Sequence, residues 1–185
     1  LDYVDLFYSH RFDPDTPVEE TLQALVDIVR AGKALYVGIS NWPLEPLKVA
    51  ADYLRQRDVP LLIYQGRLNR INREPIDEGI LGFCHEQGIG FIAFSPLAQG
   101  LLTDRYLDGI PADSRMAKGK FLKADRLTPD MMDYLLKLKA EAEADGCTIA
   151  ANALRWVLQQ QGVTSVLVGA SSVEQLKTNL ACVEG

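Results

Sequence analysis

The chain has 185 residues, 48% hydrophobic and 24% charged, with a formal net charge of −6 at pH 7 and a mean hydropathy of −0.02. That composition supports a sizeable core and excludes disordered, collagen-like and disulfide-stapled chains, while a pI of about 4.9 argues against a nucleic-acid surface. No apolar run reaches the roughly 18 residues that span a bilayer, and no leader-like segment precedes the first strand, so the expectation is a cytoplasmic protein without membrane insertion.

The sequence begins at Leu1, without a methionine, and enters a strand almost at once. This raises the question of whether the one domain expected over residues 1–185 is complete at its amino end. Residues 3–9 (YVDLFYS) are aromatic and β-branched, and Asp13-Pro14-Asp15 turns the chain. Thr16, Pro17 and Glu19 have the spacing of a capping box, predicting a helix over 17–31 with Val18, Leu22, Leu25, Val26 and Val29 on one face. Gly32 then stands where a left-handed cap belongs.

The unit repeats. Residues 35–39 read as a strand and 43–57 as a helix; 61–64 read as a strand and 75–87 as a helix closed by Gly88. Residues 90–94 are nearly continuous in apolar side chains, which predicts a strand buried on both faces. After a long stretch, helices are expected from Thr128 to about Asp145 and over 148–160, ended by Gly162. A fifth strand follows at 165–168, and a last helix opens on a capping box from Ser172 to Gln175. The first four strands begin near residues 3, 35, 61 and 90, a period of roughly 30 that fits one βα unit with its crossover. A parallel sheet follows, either an open doubly wound sheet or an arc of a (β/α)8 barrel, which takes about 250 residues.

In both architectures ligands bind at the carboxyl ends of the strands. There the sequence sets His10, then Ser40 and Asn41, then Gln65, then Phe94 and Ser95, then Gly169 and Ser171. His10 suits a hydrogen-bond donor or proton handler. Ser40, Asn41 and Gln65 can both donate and accept, as recognition of a planar carboxamide requires; capping and loop hydrogen bonds are their plainer roles. Phe94 could stack on an aromatic ring or fill the core. The run from Gly169 into the last helix offers free backbone N–H groups to an anion or is simple capping.

There is no GxGxxG, no GxxxxGK and no nucleophile elbow. Residues 105–126 hold Arg105, Arg115, Lys118, Lys120, Lys123 and Arg126 and carry a net +3 on an otherwise acidic chain, a candidate clamp for a polyanionic small molecule or a solvated loop. His85 beside Cys84 has no second ligand at metal spacing, and no metal site is expected. Cys84, Cys147 and Cys182 follow no CxxC pattern and read as small hydrophobes.

Together, residues 1–11 (LDYVDLFYSHR), 32–42 (GKALYVGISNW), 63–70 (IYQGRLNR), 93–103 (AFSPLAQGLLT), 109–115 (GIPADSR) and 166–179 (VLVGASSVEQLKTN) resemble the aldo-keto reductases. The branch they resemble includes bacterial L-glyceraldehyde 3-phosphate reductases and the β-subunits of voltage-gated potassium channels. The resemblance implies a (β/α)8 barrel, of which these five strands are similar to strands four to eight. It implies NADPH-dependent reduction of aldehydes or ketones, with a phosphorylated substrate suggested by the branch. The alternative it carries is an NADP(H)-binding, redox-sensing subunit.

By the same resemblance, Ser40, Asn41 and Gln65 hold the carboxamide and Phe94 stacks on the nicotinamide. Ser95, Pro96, Leu97, Ala98, Gln99 and Gly100 wrap the pyrophosphate. Arg105, Ser114 and Arg115 close over the pyrophosphate and the 2′-phosphate, while Gly169, Ser171, Gln175 and Asn179 receive the adenosine end. His10 matches the catalytic histidine that orients the carbonyl. The family's tyrosine acid and its aspartate and lysine partners come from βα units not in these residues, so the chain alone is expected to be inactive. Five of eight units leave open sheet edges, which makes a homo-oligomer an expected partner state.

Overall fold

The computed structural model describes residues 1–119 and 122–181, leaving Lys120 and Cys182 outside the described residues. Its chain forms two compact units. One comprises Leu1–Arg67, Arg73–Phe94 and Gln161–Ser165; the other comprises Leu68–Asn72, Ser95–Gln160 and Val166–Gly185.

The first unit is built from alternating strands and helices: β1 (Val4–Ser9), α1 (Val18–Arg30), β2 (Ala34–Ser40), α2 (Leu44–Arg55), β3 (Leu61–Arg67), α3 (Glu74–Asp77), α4 (Ile80–Glu86) and β4 (Gly90–Phe94). A fifth strand, β5 (Val163–Val166), completes a sheet whose order is the order of the sequence. β1 to β4 pair in parallel, as the spacing of roughly 30 residues predicts.

Side chains in a strand alternate between faces. The parallel register aligns Tyr8 with Gly38, Gly38 with Ile63, and Ser40 with Gln65. It also aligns Gln65 with Ile92 and Arg67 with Phe94. One face therefore carries Tyr8, Ser40, Gln65 and Phe94. The other carries Val37, Ile39, Tyr64, Phe91 and Ala93, all buried together with Leu22, Val26, Leu47, Ala50 and Leu54 of α1 and α2. The helices pack on this second face because its apolar side chains match the apolar stripes of α1 and α2. β4 is correspondingly buried at alternate positions only, so the expectation of burial on both faces is corrected.

Gly66 lies against two rings of this core. A Cβ there would come within 2.8 Å of the Phe91 ring and 3.0 Å of Tyr64, and those rings stack with centroids 5.6 Å apart. Three other expectations change. The Thr16 hydroxyl donates to the Asp13 carboxylate at 2.9 Å, so the box at 16–19 does not form and α1 starts without a side-chain cap. The helix expected at 75–87 is two helices, because Gly79 adopts φ 79 between them. The fifth strand lies two residues earlier than expected.

The second unit contains α5 (Arg115–Lys118), α6 (Pro129–Ala144), α7 (Ile149–Leu158) and α8 (Val173–Leu180), with short 3-10 turns between residues 98 and 126. Thr128, Thr148 and Ser172 cap α6, α7 and α8 through their hydroxyls. Its core gathers Leu101, Leu102, Tyr106, Met116, Leu135, Leu138 and Ile149. Arg70 is tied to Asn152 and to Glu141, the latter at 2.9 Å, and its carbonyl accepts from the Tyr134 hydroxyl at 3.3 Å.

Candidate functional site

In the first unit the candidate residues lie at the carboxyl ends of adjacent strands. Ser40 is buried, and its hydroxyl oxygen accepts from the Asn41 side-chain amide at 2.8 Å. The Asn41 backbone N–H donates to the Gln65 carbonyl at 3.2 Å, and Asn41 holds φ 53, a left-handed conformation costly to a residue with a Cβ. Neither Ser40 nor Asn41 caps α2, so the capping role is excluded. The side-chain amide of Gln65 has no partner among the described residues, and Phe94 is half-buried, not core.

β3 extends three residues beyond its expected end, which places Gln65 within the strand and opposite Ser40. His10 follows β1 and is exposed. Two residues on, Phe12 meets Trp42 edge to face, with centroids 5.2 Å apart. The Trp42 carbonyl accepts from the Tyr64 hydroxyl at 2.7 Å, while its indole N–H is buried without a partner. Sequence reasoning assigned Trp42 no role; an aromatic residue beside Ser40 and Asn41 is the signal that was available. A cavity of about 480 Å³ lies at the opposite, amino end of β3, bordered by Leu61, Ile89, Arg55 and Gln87. It contains none of the candidate residues.

The second unit holds the phosphate-side candidates. Ser95, Ala98 and Gln99 have φ 53, 47 and 63, so three of the six residues of the 95–100 loop are left-handed without being glycine. Turn hydrogen bonds run from Ala98 to the Ser95 carbonyl at 3.0 Å and from Gly100 to Leu97 at 2.8 Å. The Gln99 side-chain oxygen is buried without a partner. Pro96 is buried and Leu97 packs on the unit's core.

Arg105 is already engaged, its guanidinium 2.7 Å from the Asp113 carboxylate. That hydrogen bond and charge hold the Asp113 carboxyl below the usual carboxylate range. Ser114 is buried and its hydroxyl caps α5 by accepting from Ala117 at 3.1 Å. Arg115, exposed at the first position of α5, has no ion pair among the described residues.

At α8 the Gln175 side-chain oxygen accepts from both the backbone N–H and the hydroxyl of Ser171, at 2.7 and 2.9 Å. The reciprocal half of the expected capping box therefore goes to Ser171 in place of Ser172. Gly169 is exposed in the loop before it, and Asn179 is buried with its amide nitrogen unpartnered. No cluster of metal-ligating side chains occurs among the described residues, and the His85 imidazole lies 3.1 Å from the Gln161 amide.

Cys84 is buried, and desolvation pushes its thiol up to about 12; burial likewise raises the Tyr64 phenol. Both groups hold their protons more tightly when folded, so their contribution to stability is complete below the unfolded values and declines as pH rises from about 9 toward 12. Thiolate chemistry needs a deprotonated, accessible sulfur. At pH 8 an alkylating reagent is thus expected to leave Cys84 unmodified until denaturant is added, while half-exposed Cys147 reacts in the folded chain; peptide mass spectrometry reads both.

The sequence is 48% identical over 185 residues to the L-glyceraldehyde 3-phosphate reductases of Escherichia coli strain K12 and of Escherichia coli O157:H7, covering 97% of this chain and 53% of theirs. The chain thus spans about half the length of these curated relatives. The crystal structure of a thermostable aldo-keto reductase in complex with the inhibitor epalrestat matches with a TM-score of 0.71 at 29% identity, over 100% of this chain and 56% of that one. With the Aldo/keto reductase family profile matching residues 1–184, a parallel sheet of sequential βα units and polar side chains gathered at its carboxyl ends, the chain belongs to the aldo/keto reductase family.

Proposed function

We propose that this chain forms the NADPH-binding part of a reductase acting on aldehydes or ketones. The observation that carries the reading is the register of β2, β3 and β4, which aligns Ser40 with Gln65 and puts Phe94 on the same face, at strand ends where the family binds its nucleotide. These residues fit the group. A hydroxyl, two side-chain amides and an aromatic ring are the chemistry that a flat carboxamide-bearing ring requires. The unpartnered Gln99 oxygen and Asn179 nitrogen supply an acceptor and a donor that a ligand would satisfy.

In this reading Ser40, Asn41 and Gln65 hold the carboxamide and fix which face of the ring is presented, while Phe94 supports the other side. The backbone of residues 95–100 receives the pyrophosphate. Gly169, Ser171, Gln175 and Asn179 serve the adenosine end. Bound NADPH supplies the hydride. His10 donates a hydrogen bond to the carbonyl oxygen, polarising it and favouring one orientation of the substrate. The curated relatives are named for L-glyceraldehyde 3-phosphate, which makes a short phosphorylated aldehyde the first substrate class to test.

Because Arg105 is paired with Asp113, Arg115 is the freer cation for the 2′-phosphate. Titrating the purified chain with NADPH and NADH by nucleotide fluorescence is expected to give saturable binding, tighter for NADPH. Replacing Arg115 by alanine should weaken NADPH about tenfold, equivalent to roughly 1.4 kcal/mol, and leave NADH unchanged. Failure of both nucleotides to saturate the unmodified chain would falsify the reading.

A further inference from the structure

The 95–100 loop is held from outside its own sequence. Asn69, in the segment after β3, is buried, and all its side-chain hydrogen bonds run to backbone. Its oxygen accepts from the N–H groups of Ile71 and Asn72 at 3.0 and 2.8 Å. Its amide nitrogen donates to the Ser95 carbonyl at 3.0 Å. The same carbonyl accepts from Ala98 at 3.0 Å, so both of its lone-pair directions are used. Ser95 has φ 53, a conformation that a serine keeps only where its surroundings over-determine it.

We infer that Asn69 is a positioning residue: by clamping the Ser95 carbonyl it holds the left-handed turn that opens the 95–100 loop, and thereby sets the backbone geometry offered to the cofactor's phosphates. The inference rests on the proposed role of that loop in nucleotide binding. Its chemistry is specific to an amide. One planar group must accept two N–H bonds on its oxygen side and donate on its nitrogen side. A carboxylate of the same shape keeps the two accepted bonds, and with them the turn at 69–72, but turns a donor into an acceptor facing a carbonyl oxygen.

The test compares the unmodified chain with Asn69→Asp and Asn69→Ser. Three quantities are measured: NADPH affinity, hydrogen exchange of the amides in residues 95–103, and the thermal midpoint. The expected result for Asn69→Asp is NADPH binding weakened about tenfold and faster exchange at 95–103, with exchange elsewhere unchanged. Asn69→Ser, too short to span both sides, should behave likewise and serves if the aspartate variant does not fold.

A merely structural asparagine would lower the midpoint without a selective change in 95–103 or in NADPH affinity, and that result overturns the inference. So does unchanged affinity in a folded variant. If the unmodified chain itself binds no nucleotide, the proposed function fails and the inferred role in binding fails with it. The exchange pattern then decides separately whether the clamp exists.

Discussion

Mixed with NADPH and a short aldehyde, the 185-residue chain is expected to oxidise no nucleotide above the buffer rate. Reduction of a carbonyl leaves negative charge on oxygen, and a positioned acid with a pKa near the working pH typically contributes about 10²–10⁴-fold by supplying the proton. The phenols nearest the strand ends are unsuited. Tyr64 donates a hydrogen bond to the Trp42 carbonyl and is driven well above its ordinary value by burial, and Tyr8 is raised by burial too. Among the described residues no neighbouring cation lowers either phenol. His10 can orient a carbonyl, but orientation alone leaves that factor missing. Absorbance at the reduced-nicotinamide band, followed for hours at high enzyme concentration, is the measurement. Turnover that disappears in His10→Ala would show that the described residues already hold a working acid.

The largest stability effect is expected at Phe91. Its ring is fully buried, stacks on Tyr64 and lies against Gly66, where there is no side chain to swing into a vacated space. Truncation to alanine should therefore leave most of its volume as a cavity and cost about 3–5 kcal/mol, a large part of the 5–15 kcal/mol typical of a folded domain. Urea unfolding followed through buried Trp42, in a Trp156→Phe background that silences the other indole, reads this unit directly. A loss below about 1 kcal/mol would mean that the neighbouring rings close the gap.

What could be read before any coordinates was what depends on periodicity. Strands β1 to β4 and the helices α1 and α2 follow from apolar spacing and a repeat of roughly 30 residues, and the hydroxyl caps of α6 and α8 sit where Thr128 and Ser172 announce them, while Thr148, which reads as the first residue of its helix, caps α7 instead. Gly79 was missed because a glycine inside an apolar helical pattern costs only about 1 kcal/mol, so it does not by itself mark a break. Thr16 was misassigned because Asp13, three residues earlier, competes for its hydroxyl.

The candidate site was legible as residue types and not as geometry. That Ser40 and Gln65 are cross-strand neighbours depends on the register between β2 and β3, which shifts at Val37–Gly38 and has no local signature. Ser114 caps α5 because a serine just before a short helix finds the nearest free N–H, a bond that residue type alone does not announce. Asn69 carried no signal at all. A polar residue in a connecting segment shows its purpose only when the carbonyl it reaches, 26 residues away, is in view.

The order of the sheet bears on how the chain folds. Pairing of β1 with β2, β2 with β3 and β3 with β4 closes loops of roughly 30 residues each, so these contacts can form one after another as the polypeptide lengthens. β5 is different: the hydrogen bond from Phe91 to the Thr164 hydroxyl spans 73 residues. By the logarithmic dependence of closure entropy on length, that is a little over one doubling, a penalty of about 0.8 kcal/mol. The kinetics should then show four strands assembling early and the fifth arriving in a slower, separate phase, after the intervening 68 residues have organised their own core.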